Sequence, residues 1–163
     1  MNRMIRALAS APATALVAVL SLAPAAAHAA PPPDAQTFEK TFSFVPEKSQ
    51  KIGITAGDVV IESVKILAWP DADDFRKAEK DPNDTKTMWV VFTYTNKGDR
   101  NYKCIYAVTV LDPEGGKPLA VDDAERTLDK GKVDDTNRFG MKMKTNLYKT
   151  AKTFKVNFTV WKK

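Results

Sequence analysis

Two stretches of strict alternation, 87–95 and 102–111, constrain this chain more than anything else in it. In the first, Met88, Val90, Phe92 and Tyr94 fall on one side of an extended chain, while Trp89 and Val91 make the other side partly apolar. In the second, Cys104, Tyr106, Val108 and Val110 oppose Ile105, Ala107 and Leu111. A strand that is apolar on both faces belongs in the middle of a sheet. Between the two, Asn96-Lys97-Gly98-Asp99 tolerates left-handed backbone angles, so the spacing predicts a hairpin whose strands lie side by side.

The rest of the chain carries the same period. Phe38, Phe42 and Phe44 alternate with Glu39, Thr41 and Ser43 over 37–45, and Lys40 breaks the phenylalanine side, which predicts an edge strand. A short strand at 51–55 precedes a long one at 59–69, where the apolar phase changes and a bulge near Glu62-Ser63 reconciles the two halves. Pro70 ends it. Asp71 then caps a surface helix over 71–80, with Asp73 and Lys77 four apart, and Asp81-Pro82-Asn83-Asp84 stops it. After the turn Asp112-Pro113-Glu114-Gly115-Gly116 comes a short strand at 117–121. Asp122 or Asp123 next caps one helical turn ending at Gly131, and 133–144 forms a weak strand with Phe139, Met141 and Met143 on one side. Phe154, Val156, Phe158 and Val160 alternate cleanly with Lys155, Asn157, Thr159 and Trp161 in the last strand. Seven to eight mostly antiparallel strands, with no long amphipathic helix, predict an all-β chain folded as a single β-sandwich.

The order of a long strand, an Asn-Gly-type turn, the strand Tyr102-Lys103-Cys104-Ile105-Tyr106-Ala107-Val108-Thr109-Val110-Leu111-Asp112, the turn at 112–116 and a closing Phe154-Lys155-Val156-Asn157-Phe158 strand resembles the immunoglobulin-like domains of bacterial secreted proteins, particularly the F-x-L-Y-D group. The resemblance covers 88–161 and implies an immunoglobulin-like sandwich acting as a binding or accessory module. The F-x-L-Y-D signature itself is absent, and the resemblance implies no catalytic residues.

The first thirty residues set the compartment. Arg3 and Arg6 precede an apolar run at 13–23 and a small-residue stretch ending Ala27-His28-Ala29, the layout of a secretory signal peptide over 1–29. The run is too short for a spanning helix, which needs about 20 residues. No second such run follows, so the expectation is a soluble protein, periplasmic or extracellular, exported by the general secretion route. Pro31-Pro32-Pro33 makes 30–36 an extended leader, and 37–163 remains as one domain. A single cysteine, Cys104, allows no internal disulfide and reads as a buried strand residue.

The only histidine, His28, lies in the signal. Cleavage after Ala29 therefore excludes imidazole acid–base catalysis, histidine zinc sites and His-activated nucleophiles. Cleavage after Ala27 would instead leave His28 as a terminus that copper could use, although no second histidine accompanies it. Three acidic clusters invite calcium: Asp71, Asp73 and Asp74; Asp122 and Asp123; Asp134, Asp135 and Asn137. None has the spacing of a calcium loop. The same carboxylates could serve glycoside hydrolysis if a groove gathered them. Met141 and Met143, with Met88 or Cys104, could offer soft ligands to copper, but methionines at period two fill cores. No cofactor is expected.

Charge layout says more. Residues 130–163 hold ten lysines or arginines against two aspartates, and 30–129 hold thirteen against eighteen acids, balances of +8 and −5. Lys142, Lys144, Lys149, Lys152 and Lys155, with Lys162 and Lys163, sit on or beside the last two strands, which would form one basic surface if those strands were neighbours. The sequence thus predicts an exported, non-catalytic module contacting an anionic glycan, a lipid surface or a partner protein, and export argues against nucleic acid. Its rivals are a small carboxylate- or metal-dependent enzyme, a calcium- or copper-binding protein, and an accessory component that adds a partner's strand to a sheet edge.

Overall fold

The computed structural model describes residues 28–163 apart from Ala68 and Gly115. The predicted signal peptide falls almost wholly outside the described residues. Eight strands follow in chain order: β1 (Gln36–Ser43), β2 (Gln50–Ala56), β3 (Val59–Ile66), β4 (Thr85–Asn96), β5 (Tyr102–Leu111), β6 (Pro118–Leu128), β7 (Lys132–Lys144) and β8 (Thr153–Lys162). A helix, α1 (Ala72–Lys80), joins β3 to β4, and a 3-10 turn (Thr145–Lys149) joins β7 to β8. The strands form two four-stranded sheets, sheet A in the order β1-β8-β5-β6 and sheet B in the order β2-β3-β4-β7, with every pairing antiparallel. The expected all-β sandwich with a short surface helix is the architecture found.

Alternation decides what each strand buries. Met88, Val90, Phe92 and Tyr94 of β4, Tyr102, Cys104, Tyr106, Val108 and Val110 of β5, and Phe154, Val156, Phe158 and Val160 of β8 all point between the sheets and are buried. The ring of Phe92 in sheet B stacks on Tyr106 in sheet A at 4.2 Å, and Phe158 meets both edge-on at 5.6 and 5.9 Å. Such pairs add about 0.5–1.5 kcal/mol each beyond the area they bury. In β3 the inward set changes phase from Val59 and Ile61 to Val64 and Ile66, because the register against β4 shifts between Ile61 and Ser63. That is the expected bulge, and the strand stops at Ile66, short of the predicted 69.

The predicted hairpin is not one. β4 pairs with β3 and β7 in sheet B, and β5 pairs with β6 and β8 in sheet A, so residues 97–101 cross between sheets about 10 Å apart. Asn96 directs the crossing. Fully buried, its Nδ2 donates to the Arg100 and Leu128 carbonyls at 2.9 and 3.0 Å, and its Oδ1 accepts from the Gly98 N–H at 3.1 Å. The side chain thereby ties the loop to the end of β6 in the opposite sheet.

The helical turn expected within 122–132 is also absent. β6 runs unbroken to Leu128, and Asp129-Lys130-Gly131 crosses to sheet B, with Gly131 at φ +70°. Ala124 and Leu128 face inward, four apart, a spacing that copies a helix in the sequence. Between them Arg126 occupies an inward-phase position at the open side of the sandwich. Its Nε and Nη2 donate to the Arg138 carbonyl of β7 at 3.2 and 3.0 Å. On the other side Lys40, the residue that broke the phenylalanine face of β1, donates from Nζ to the Ile52 carbonyl of β2 at 2.6 Å. Each open side is thus closed by a cation reaching from sheet A to the backbone of sheet B.

The helix caps one end of the sandwich. Asp71 accepts from the Asp74 N–H at 2.9 Å and Asp74 reciprocates at 3.3 Å, a complete capping box. Ala78 is buried and Phe75 packs at the core margin, so α1 contributes a lid to the core as well as a surface excursion.

Candidate polyanion-binding surface

The predicted basic surface depended on the last two strands being neighbours, and they are not. β7 is an edge of sheet B beside β4, whereas β8 lies in sheet A between β1 and β5. Lys155 projects from the outer face of sheet A and pairs with Glu39 at 3.2 Å. Lys149, on the 3-10 turn, holds its ammonium 4.3 Å from the Phe75 ring centroid, and Lys152 is exposed in the connection to β8. Of the five lysines only Lys142 and Lys144 share a face, the outer one of sheet B, where Lys144 donates to Asn83 Oδ1 at 3.0 Å.

The acidic candidates are likewise separated. Asp71, Asp73 and Asp74 belong to the start of α1, where the first caps the helix, the second pairs with Arg76 and the third pairs with Lys86 at 2.8 Å. The hydrogen bond from Lys86 is the main reason that Asp74 ionises below the ordinary aspartate range. Asp134 and Asp135 begin β7 at the opposite end of the sandwich. There the Asp134 N–H donates to Thr95 Oγ1 at 3.1 Å, and Asp135 accepts from the Tyr94 hydroxyl at 3.0 Å. Asn137 donates to the Thr127 carbonyl. Asp122 and Asp123 lie in β6, with Asp123 Oδ1 3.3 Å from His28 Nε2. No group of three or more His, Cys, Asp or Glu converges among the described residues.

The soft-ligand set is divided: its three methionines gather on the inner face of β4 and β7, and its cysteine lies apart. Met88 faces Met141 across β4 and β7, and both are buried with Met143. Cys104 lies near the start of β5, beside the end of β4 that is remote from Met88, and burial pushes its thiol well up.

What the fold does assemble lies on the outer face of sheet B. Trp89 sits opposite Gly140 in the β4–β7 register, with Thr87 opposite Lys142 and Val91 opposite Arg138. The outward set of β7 therefore reads Thr136, Arg138, Gly140, Lys142 and Lys144. A Cβ on Gly140 would stand 2.7 Å from Thr87 Cγ2 and 3.3 and 3.4 Å from two indole carbons, so the absent side chain is what lets the Trp89 ring lie against β7. The indole remains 41 % exposed, and the Arg138 guanidinium carbon is 5.4 Å from its centroid. Across β4, Lys65 faces outward opposite Val91, paired with Glu47 at 3.0 Å. Neither Arg138 nor Lys142 is ion-paired among the described residues.

Sequence reasoning missed Trp89 and Arg138. Trp89 reads there only as the second apolar face of a central strand, and Arg138 as one charge of many. The available signal was Gly140, a glycine inside an alternating strand, which marks a close approach. No protein-family model matches the chain, and no curated protein matches it.

Proposed function

We propose that this chain is an exported, non-catalytic binding module that contacts a polyanion through the outer face of sheet B. The observation that carries the reading is that Arg138, over the exposed Trp89 ring, and Lys142, beside it, share one strand and one face and have no carboxylate partner among the described residues. Cations already matched by carboxylates gain little from a new anion, which sets Lys155 and Lys65 aside. The scatter of the aspartates over both ends of the fold favours binding over carboxylate-based hydrolysis. The Lys40 and Arg126 bridges, which engage edge-strand carbonyls, favour a face over an edge as the docking surface.

The test is retention on an anionic matrix as a function of salt. Each phosphate-like contact releases condensed counterions, so retention should fall steeply with salt, with a slope set by the number of cations engaged. Arg138→Gln with Lys142→Gln should flatten that slope and bring elution forward. Lys155→Gln, on the opposite face, should leave both unchanged. Equal effects from the two sets would return these lysines to ordinary solvation of a surface.

Export rests on the basic, apolar and small-residue layout of 1–29. Among the described residues no helix is long and apolar enough to cross a membrane. Intact mass of the protein recovered outside the cytoplasm should correspond to a chain starting at Ala30. A start at His28 would place an imidazole terminus beside Asp123 and reopen the copper reading.

A further inference from the structure

We infer that the polyanion taken by this face is an acidic polysaccharide, with one sugar ring lying on the Trp89 indole and carboxylates of the chain on Arg138 and Lys142; this rests on the reading of sheet B's outer face as the binding surface. A pyranose ring presents a flat patch of C–H bonds on one face and hydroxyls around its rim. The matching receptor is a flat aromatic surface surrounded by hydroxyl and charged groups.

Sheet B has that composition. Gly140 lays the indole down along β7; Thr87 and Thr85 occupy the outward positions of β4 in the two rows before it, Val91 the row after it, and Thr93 and Thr136 the row beyond. Arg138 and Lys142 stand two residues either side of Gly140, each about 7 Å along the strand. Lys142 stands to one side of the ring, whereas the Arg138 guanidinium lies over the indole, 5.4 Å from its centroid, and swings off it to meet a carboxylate as the sugar ring takes its place. An acidic polysaccharide carries anionic groups on both sides of any one sugar, so it can engage both cations while a ring covers the indole.

Other polyanions fit less well. A polyphosphate has no apolar face and would leave Trp89 unused. A bilayer anchor must bury its apolar groups about 5–10 Å deep, whereas this indole rests against its own sheet. An aromatic over a cross-strand glycine also stabilises a sheet, which accounts for the Trp89–Gly140 pair but not for two cations beside it that lack a carboxylate partner among the described residues.

Titration of the full mature chain at fixed low salt with oligogalacturonate, with polyphosphate as the ring-free polyanion, decides the matter. Trp89→Leu keeps apolar cover over Gly140 while removing the flat ring, and its thermal midpoint reports whether the fold is intact. The expected result is a loss of about tenfold or more in oligogalacturonate affinity, the scale of one aromatic stacking contact, with polyphosphate binding unchanged. Arg138→Gln with Lys142→Gln should weaken both. An oligogalacturonate affinity untouched by Trp89→Leu, or an equal loss for both polymers, overturns the sugar assignment. So does a Trp89-dependent preference for single-stranded DNA or for anionic vesicles. Binding of polyphosphate alone removes this inference and keeps the polyanion reading, whereas binding of none of these probes removes both.

Discussion

Tyr94, Tyr106 and Tyr148 are all buried, but their hydroxyls are in different situations. Tyr94 donates to Asp135 at 3.0 Å and accepts from the Asp129 N–H at 3.1 Å, linking β4, the β6–β7 crossing and β7. Tyr148 has no hydrogen-bond partner among the described residues, and the Tyr106 hydroxyl, beside Asn137 and Cys104, makes no well-formed bond to either. A buried polar group without a partner costs about 1–3 kcal/mol, and a satisfied one contributes about 1 kcal/mol net. Tyr94→Phe should therefore destabilise by about 1 kcal/mol, whereas Tyr106→Phe and Tyr148→Phe should be neutral or stabilising in urea unfolding. Burial is the first cause that raises all three ionisations, Tyr94 to about 12. Because the neutral form is favoured in the folded state, this contribution is complete below about pH 10, the unfolded tyrosine value. It is lost as pH rises from there through about 12. Unfolding midpoints at pH 8 and pH 11.5 should show a loss of stability that is smaller in Tyr94→Phe. The same loss in both proteins would mean that other groups govern the alkaline limb.

At the scale of elements, the two cation bridges explain how a sandwich with four edge strands keeps them from pairing with other molecules. Lys40 and Arg126 each sit where the strand's own phase calls for an apolar side chain, and each engages a carbonyl of the facing edge. Arg126→Met should leave the thermal midpoint within a few degrees, since the Arg138 carbonyl can turn to water. It should nevertheless shift sedimentation toward larger species as concentration rises, and Arg126→Lys should show less of this. Unchanged sedimentation in Arg126→Met would deny the bridge its protective role. The same residue shows why 122–132 is hard to read in sequence. A charge between Ala124 and Leu128 breaks the period-two pattern, and only the proximity of β7 explains its place. The helix was legible because its signal is local: Asp71, Asp74 and the closing turn Asp81-Pro82 lie within one short stretch.

Across the described residues the first strand pairs with the last, Gln36 opposite Val160 through Ser43 opposite Thr153, and consecutive strands change sheet at 44–49, 97–101, 129–131 and the 3-10 turn. Sheets closed by such distant partners must meet a large loop-closure cost before burial rewards it, so folding should take milliseconds to seconds. Stopped-flow refolding monitored by tryptophan fluorescence checks this, and completion within microseconds would contradict the topology. The same sheet changes divide the basic C-terminal third, placing Lys155 against Glu39 on one face and leaving Arg138 and Lys142 on the other. By itself the sequence determined the phase of almost every strand, the bulge in β3 and the cap of α1, because alternation, a phase change and a capping box involve only residues near one another in the chain. Only the tertiary structure decided which strands are neighbours, and therefore which cations and which tryptophan share a surface. Burying an apolar face against any partner strand yields much the same free energy. The choice among partners falls to long-range contacts such as those of Asn96, Arg126 and Lys40, which leave no period in the sequence.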